Sequence, residues 1–170
     1  DLQRSFYMGI GAQGVAPMPS PMYLANVDCV ACHVEKLKPK NGTTHAETFG
    51  GTEKGCLECH GKEYTGVLEE VHVLMRDTVA KIEDKRSAFE AGLAGKATPP
   101  EVTAALAEAK HNLAYVSSGH TVHNIYYAAQ VLRYTDQRLT AAAQVTQVAV
   151  PDLGGLPVIS GAFCATLCHG

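Results

Sequence analysis

Apolar residues recur through the middle of this chain at helical intervals. From Gly66 to about Leu93, the residues Leu68, Val71, Met75, Val79, Ile82, Phe89 and Leu93 follow at steps of three, four and seven, which a 3.6-residue period places on one stripe. A second stripe, Val102, Leu106, Ala109, Leu113 and Val116, follows Pro99, a residue suited to a first helical turn because the N–H it lacks has no partner there. Ser117-Ser118-Gly119 interrupts the pattern. A third helix is predicted from about Thr121 to Val145, with His123, Tyr127, Val131 and Tyr134 along one face. No segment alternates clearly enough to predict a strand, so the expected fold is mainly α, with about three helices across 66–145 joined to irregular loops and extended arms.

The flanks lack period. Residues 1–28 are rich in Gly, Pro and Met, punctuated by Pro17, Pro19 and Pro21, and read as an extended arm that needs a surface to lie on. Residues 29–65 form short loops, and 146–170 form an irregular, largely apolar terminal stretch. A length of 170 residues favours one domain. The chain is 46% hydrophobic with no tryptophan and four phenylalanines, so its apolar content rests on Ala, Val and Leu, and little side-chain core is expected. A net charge of −3 leaves no basic footprint for nucleic acid. Leu153 to Leu167 is broken by glycines, Pro157 and Ser160 and is too short to cross a bilayer, so no transmembrane segment is expected.

The cysteines change the picture most. Cys29-Val30-Ala31-Cys32-His33 and Cys56-Leu57-Glu58-Cys59-His60 are both C-x-x-C-H, the pattern of c-type haem attachment. Cys164-Ala165-Thr166-Leu167-Cys168-His169 repeats it with one extra residue between the thiols, so all six cysteines are used. Attachment needs two thiols to form thioethers with the porphyrin edge and a neighbouring histidine to reach the iron, which makes His33, His60 and His169 the expected proximal ligands of three haems. A zinc ribbon competes for two C-x-x-C pairs, and disulfides compete for any even number of cysteines. Neither calls for histidine after each second cysteine, an order whose chance is roughly 10⁻⁴ at about one His in twenty. Attached haem is therefore expected, and folding is expected to depend on it.

Five histidines remain for the far side of three irons: His45, His72, His111, His120 and His123. His72 borders the first stripe, where a ligand and a core histidine are equally good readings. His111 lies opposite the second stripe and reads as surface. His123 sits in the first turn of the aromatic-bearing helix, with His120 three positions earlier and directed uncertainly by Gly119. His45 lies in a polar loop short enough to stay near both of the first two motifs. His123, His45, His72 and His120 are the candidate distal ligands.

The stretch Ala109-Lys110-His111-Asn112-Leu113 through Ser118-Gly119-His120-Thr121-Val122-His123-Asn124, with Tyr127 and Leu132, resembles the carboxy-terminal helical segment of multihaem cytochromes c of the pentahaem nitrite reductase and octahaem lineage. In that lineage the histidine of a Gly-x-His-Asn-like turn binds a haem iron from the far side, and the resemblance implies that role for His123. The run from Cys29 through His45 to Cys59-His60-Gly61 and Tyr64 is similar to multihaem proteins of metal- and sulfate-reducing bacteria. Together these stretches cover about half the chain. Two departures limit what transfers: all three motifs end in histidine where many of those reductases carry a proximal lysine at the catalytic haem, and three haems are fewer than five or eight.

An electron carrier with histidine on both faces of each haem is the leading expectation, because such irons offer no vacant position to a substrate. A small-oxyanion reductase with an open third haem is the alternative, and four methionines keep Met ligation in view. An apolar arm, a terminal haem motif and spare histidines point to a subunit of a larger complex or filament, whose partners are redox proteins or copies of the same chain. Lys36, Lys38 and Lys40 read as a solvated loop or as a dock for an acidic partner. The c-type resemblance implies export to the periplasm or cell surface, with the targeting segment already removed before Asp1.

Overall fold

Val67, Val71, Met75, Thr78, Ile82, Lys85 and Phe89 are buried along one side of a helix that runs Val67–Gly92. Their spacing of four and three residues holds one face to the core for about six turns. The computed structural model describes residues 2–36, 49–154 and 156. Among these the α-helices in chain order are α1 (Leu2–Tyr7), α2 (Pro21–Leu24), α3 (Cys29–Cys32), α4 (Glu53–His60), α5 (Val67–Gly92), α6 (Pro100–Ser118) and α7 (Ile125–Thr146). Short 3-10 turns cover Lys62–Tyr64 and Thr121–His123, and a two-residue antiparallel ladder pairs Glu35 with Gly50 and Lys36 with Phe49.

The three long helices form the body. Glu69 and Glu70 in the first turn of α5 lie where the helix dipole favours negative charge. Pro99 and Pro100 start α6, and the Asn124 side chain caps α7 by accepting the Tyr127 N–H at 3.0 Å. Ala105 and Ala109 of α6 are buried, as are Ala128, Ala142 and Ala143 of α7, and small residues at such positions permit close helix packing. Lys85, buried on α5, is partnered: its Nζ reaches Asp136 Oδ1 at 2.5 Å and Thr140 Oγ1 at 2.7 Å, tying α5 to α7.

The arm is spent on this body. Phe6 is fully buried, its ring 5.3 Å from that of Tyr115 and 5.8 Å from that of Tyr127. Beyond it, the Tyr115 hydroxyl donates to the Ile10 carbonyl, Ala12 N donates to the Tyr127 hydroxyl at 3.1 Å, and Asn112 both accepts from Gln13 N at 2.8 Å and donates to Gln13 O at 3.0 Å. Asn124 Nδ2 donates to the Met18 carbonyl at 2.7 Å.

The chain is mainly α, as expected, with three corrections. Four shorter helices accompany the three long ones, and two of them carry the first two cysteine motifs, which are therefore helical where irregular loops were expected. Residues 1–28 are not simply extended: they open with α1 and bond to α6 and α7. The interior is also filled by the chain's own side chains, with Phe6, Ile82, Phe89, Val102, Tyr127, Val131 and Leu139 all at zero exposure, so the expected shortage of side-chain core is not found. No helix among the described residues is long and apolar enough to cross a membrane.

Candidate functional site

Each of the first two cysteine motifs folds as a helical turn, and this arranges its chemistry. Asp28 caps α3, its Oδ1 accepting from Cys29 N at 2.6 Å. Residues three apart share a helix face, so Cys29 and Cys32 present their thiols to one side. His33 follows as the C-cap, its backbone N–H on the Cys29 carbonyl at 2.9 Å. In α4, Cys56 and Cys59 have the same spacing and His60 is the last helical residue, closed off by Gly61 at φ +79°. The 3-10 turn that follows returns Tyr64 to His60, with ring centres 4.4 Å apart and planes within 20°. Stacking on the face of His60 leaves its nitrogen-bearing edge free to ligate.

The two motifs pack backbone to backbone. A Cβ on Gly55 of α4 would lie 3.0 Å from both Cα and O of Cys32, closer than nearly all side-chain contacts, so the approach of α3 to α4 depends on that glycine. All four described cysteines are free. Burial pushes the Cys32 thiol up, with further contributions from Cys59 and Cys29, and burial followed by the Cys32 charge does the same to Cys56. These are not activated thiolates of the redox-exchange kind. Among the described residues no group of three or more His, Cys, Asp or Glu side chains gathers as a zinc ribbon would require.

His33 meets His123. Their rings are parallel within 4° with centres 6.2 Å apart, although the residues are separated by most of the chain. Two imidazoles held on opposite sides of one metal by bonds of about 2.0 Å have ring centres about 6 Å apart. Offset ring stacking also spans this distance. His123 Nδ1 lies 2.9 Å from the His120 carbonyl and 3.2 Å from that of Gly119. Carbonyls only accept, so Nδ1 carries a proton, the way a backbone carbonyl holds the ring of a metal-binding histidine. Gly51 packs against the His33 ring, where a Cβ would sit 3.3 Å from Nε2.

The other candidates are dispersed. His120 is exposed, its ring nearly perpendicular to that of His123 at 85° and 6.3 Å. His72 is exposed on α5 and takes no part in the His33–His123 pair. His111 is exposed as expected, and its Nε2 donates to the Gly11 carbonyl at 3.0 Å, holding the arm. His45, Lys38, Lys40 and the third motif, Cys164, Cys168 and His169, lie outside the described residues. The sequence reading missed Asp28, Gly51 and Gly55. Asp28 was open to recognition as a helix-capping residue directly before Cys29, whereas nothing local marks a glycine whose role is to admit a distant backbone. No family model matches the chain, and no solved structure matches it.

Proposed function

We propose that this chain is a multihaem c-type cytochrome that transfers electrons, with haem tethered at Cys29/Cys32, Cys56/Cys59 and Cys164/Cys168. The observation that carries the reading is the His33–His123 pair: a histidine directly following two same-side thiols faces a second histidine whose Nδ1–H is already held by backbone carbonyls. A bound haem supplies reversible one-electron iron chemistry. The chain's part is to tether the porphyrin edge through paired thiols, to ligate through His33 and His123, and to make the His123 nitrogen more basic through the Gly119 and His120 carbonyls, which favours the ferric state and a low potential. Ligation from both faces leaves no position for a small oxyanion at that haem, so electron carriage is preferred over reduction of a substrate. Covalent attachment implies an exported protein.

Expression with haem-attachment machinery tests this. Mass spectrometry should count three attached haems, and spectra should be low-spin. His123→Ala should leave the first haem attached and give a high-spin signal. Colourless material with zinc or disulfides at the cysteines would overturn the reading, and a five-coordinate haem in resting wild-type protein would restore the reductase alternative. A redox partner or a further copy is also part of the proposal, because Leu24 and Val30 beside the first motif are 68% and 71% exposed. Electron microscopy distinguishes fibres from discrete particles, and a monodisperse monomer by scattering rejects both.

A further inference from the structure

The turn between α6 and α7 contains two histidines, and they are placed differently. His123 is parallel to His33. His120 is exposed, its ring is perpendicular to that of His123, and its backbone is left-handed, at φ +52° and ψ 88°. Among the described residues only Asn26 and Gln147 share a positive φ without being glycine. A left-handed conformation is uncommon outside glycine, and histidine is one of the few other residues that adopt it readily, whereas a β-branched residue does not.

What it secures here is visible. The Gly119 N–H still bonds to the Tyr115 carbonyl at 2.9 Å, as the final turn of α6. The left-handed residue then ends the helix and turns the Gly119 carbonyl toward His123, whose Nδ1 lies 3.2 Å from it. The His120 oxygen accepts twice from His123, from its backbone N–H at 3.0 Å and from Nδ1–H at 2.9 Å. A right-handed residue at 120 would continue the helix and carry the Gly119 carbonyl away from the ring.

We propose that His120 is a positioning residue for His123, acting through its backbone carbonyl and conformation, and that its ring supplies no iron ligand. This rests on the cytochrome reading and narrows it, since spacing alone leaves His120 open as a ligand. The backbone role and the ligand role separate on substitution. Glycine adopts positive φ without strain and has no imidazole, whereas a β-branched residue resists positive φ.

In the haem-loaded full chain, His120→Gly should therefore keep the low-spin signal and midpoint potential of the first haem. His120→Val should weaken the hold on Nδ1–H, make His123 a poorer donor and raise that potential. At the lower end of effects seen for such outer partners, the ferric-to-ferrous equilibrium should move roughly tenfold, about 59 mV for one electron. If valine prevents folding, His120→Ala applies the same conformational pressure more gently. Nitrogen NMR of histidine in the reduced, diamagnetic haem-loaded chain gives a second readout: the His123 Nδ1–H should stay protected from exchange in wild type and His120→Gly and exchange faster in His120→Val. Loss of low-spin haem in His120→Gly would show that the ring is a ligand and overturn the proposal. A His120→Val protein identical to wild type in potential and Nδ1–H exchange would overturn it as well. Wild-type protein without attached haem would sink the cytochrome reading, whereas haem-loaded wild type with an unchanged His120→Val would sink this proposal alone.

Discussion

Replacing Phe6 with alanine tests whether the amino-terminal arm belongs to the fold. The ring is fully buried and lies between Tyr115 and Tyr127, with Gly119 beneath it. Burying a phenylalanine ring is worth about 2–3 kcal/mol, and each aromatic pairing adds roughly 0.5–1.5 kcal/mol. The surroundings have little freedom to close the void, because the Tyr115 and Tyr127 hydroxyls are engaged by Ile10 and Ala12. The expected loss is therefore about 4 kcal/mol, in the middle of the range for such truncations. A chain of this size should then melt roughly 10 °C lower. With no tryptophan in the sequence, far-UV circular dichroism during urea and thermal unfolding is the direct assay. Phe6→Leu should recover a substantial part of the loss. A Phe6→Ala protein within about 1 kcal/mol of wild type, the scale of an ordinary surface change, would show that the arm does not dock and would refute the reasoning.

Tyr115, pushed up to about 12 by burial and then by neighbouring Tyr127, must stay neutral in the folded chain. Its contribution is complete below the unfolded value of about 10 and is lost as pH rises from there to about 12; Tyr115→Phe should lessen this alkaline loss in melts taken across that interval, at a cost of about 1 kcal/mol at neutral pH for the missing bond to Ile10. Lys85 is 2% exposed and pairs with Asp136, so Lys85→Ala should cost about 3–5 kcal/mol in urea unfolding, whereas Lys85→Met combined with Asp136→Leu should be near neutral. Gly55→Leu drives a side chain into the backbone of Cys32 and should part α3 from α4; a spin-label distance between the two helices should lengthen, while the melting of the α5–α7 body changes little.

The long helices were legible because their apolar stripes run for several turns, and the places where the reading slipped have specific causes. The first stripe appeared to jump seven residues from Ile82 to Phe89. The missing member is Lys85, whose charge is met by Asp136 on α7, a partner 51 residues away that no local pattern reveals. Both stripes also favoured the larger neighbour: Leu68 and Leu106 are half-buried while Val67 and Ala105 fill the core, because position on the face decides burial and size does not. The turn at 121–123 was read as the start of α7, but Asn124 is the cap and His123 precedes the helix. One-turn helices such as α3 have no period to detect. The cysteine motifs and His123 stood out in the sequence as candidates, yet the partnership of His33 with His123 depends on the tertiary fold.

That partnership shows how the arm bears on the proposed site and on assembly. Phe6 packs on Gly119, whose carbonyl, with that of His120, holds His123 Nδ1–H. Asn124, the next residue after His123, is fastened to the arm at Met18 while it caps α7. The same arm leads through α2 to Asp28, the cap of α3, and so to Cys29 and His33. Both sides of the His33–His123 pair are thus anchored by one segment, and loosening that segment should be felt in ligation before the long helices melt. Among the described residues, the large apolar side chains left exposed are Leu2, Ile10, Met18, Tyr23 and Leu24 on this same arm, Val30 and Val34 at the first cysteine motif and Val145 on α7, so an assembly built on the arm and that motif would bring its contact beside the proposed site.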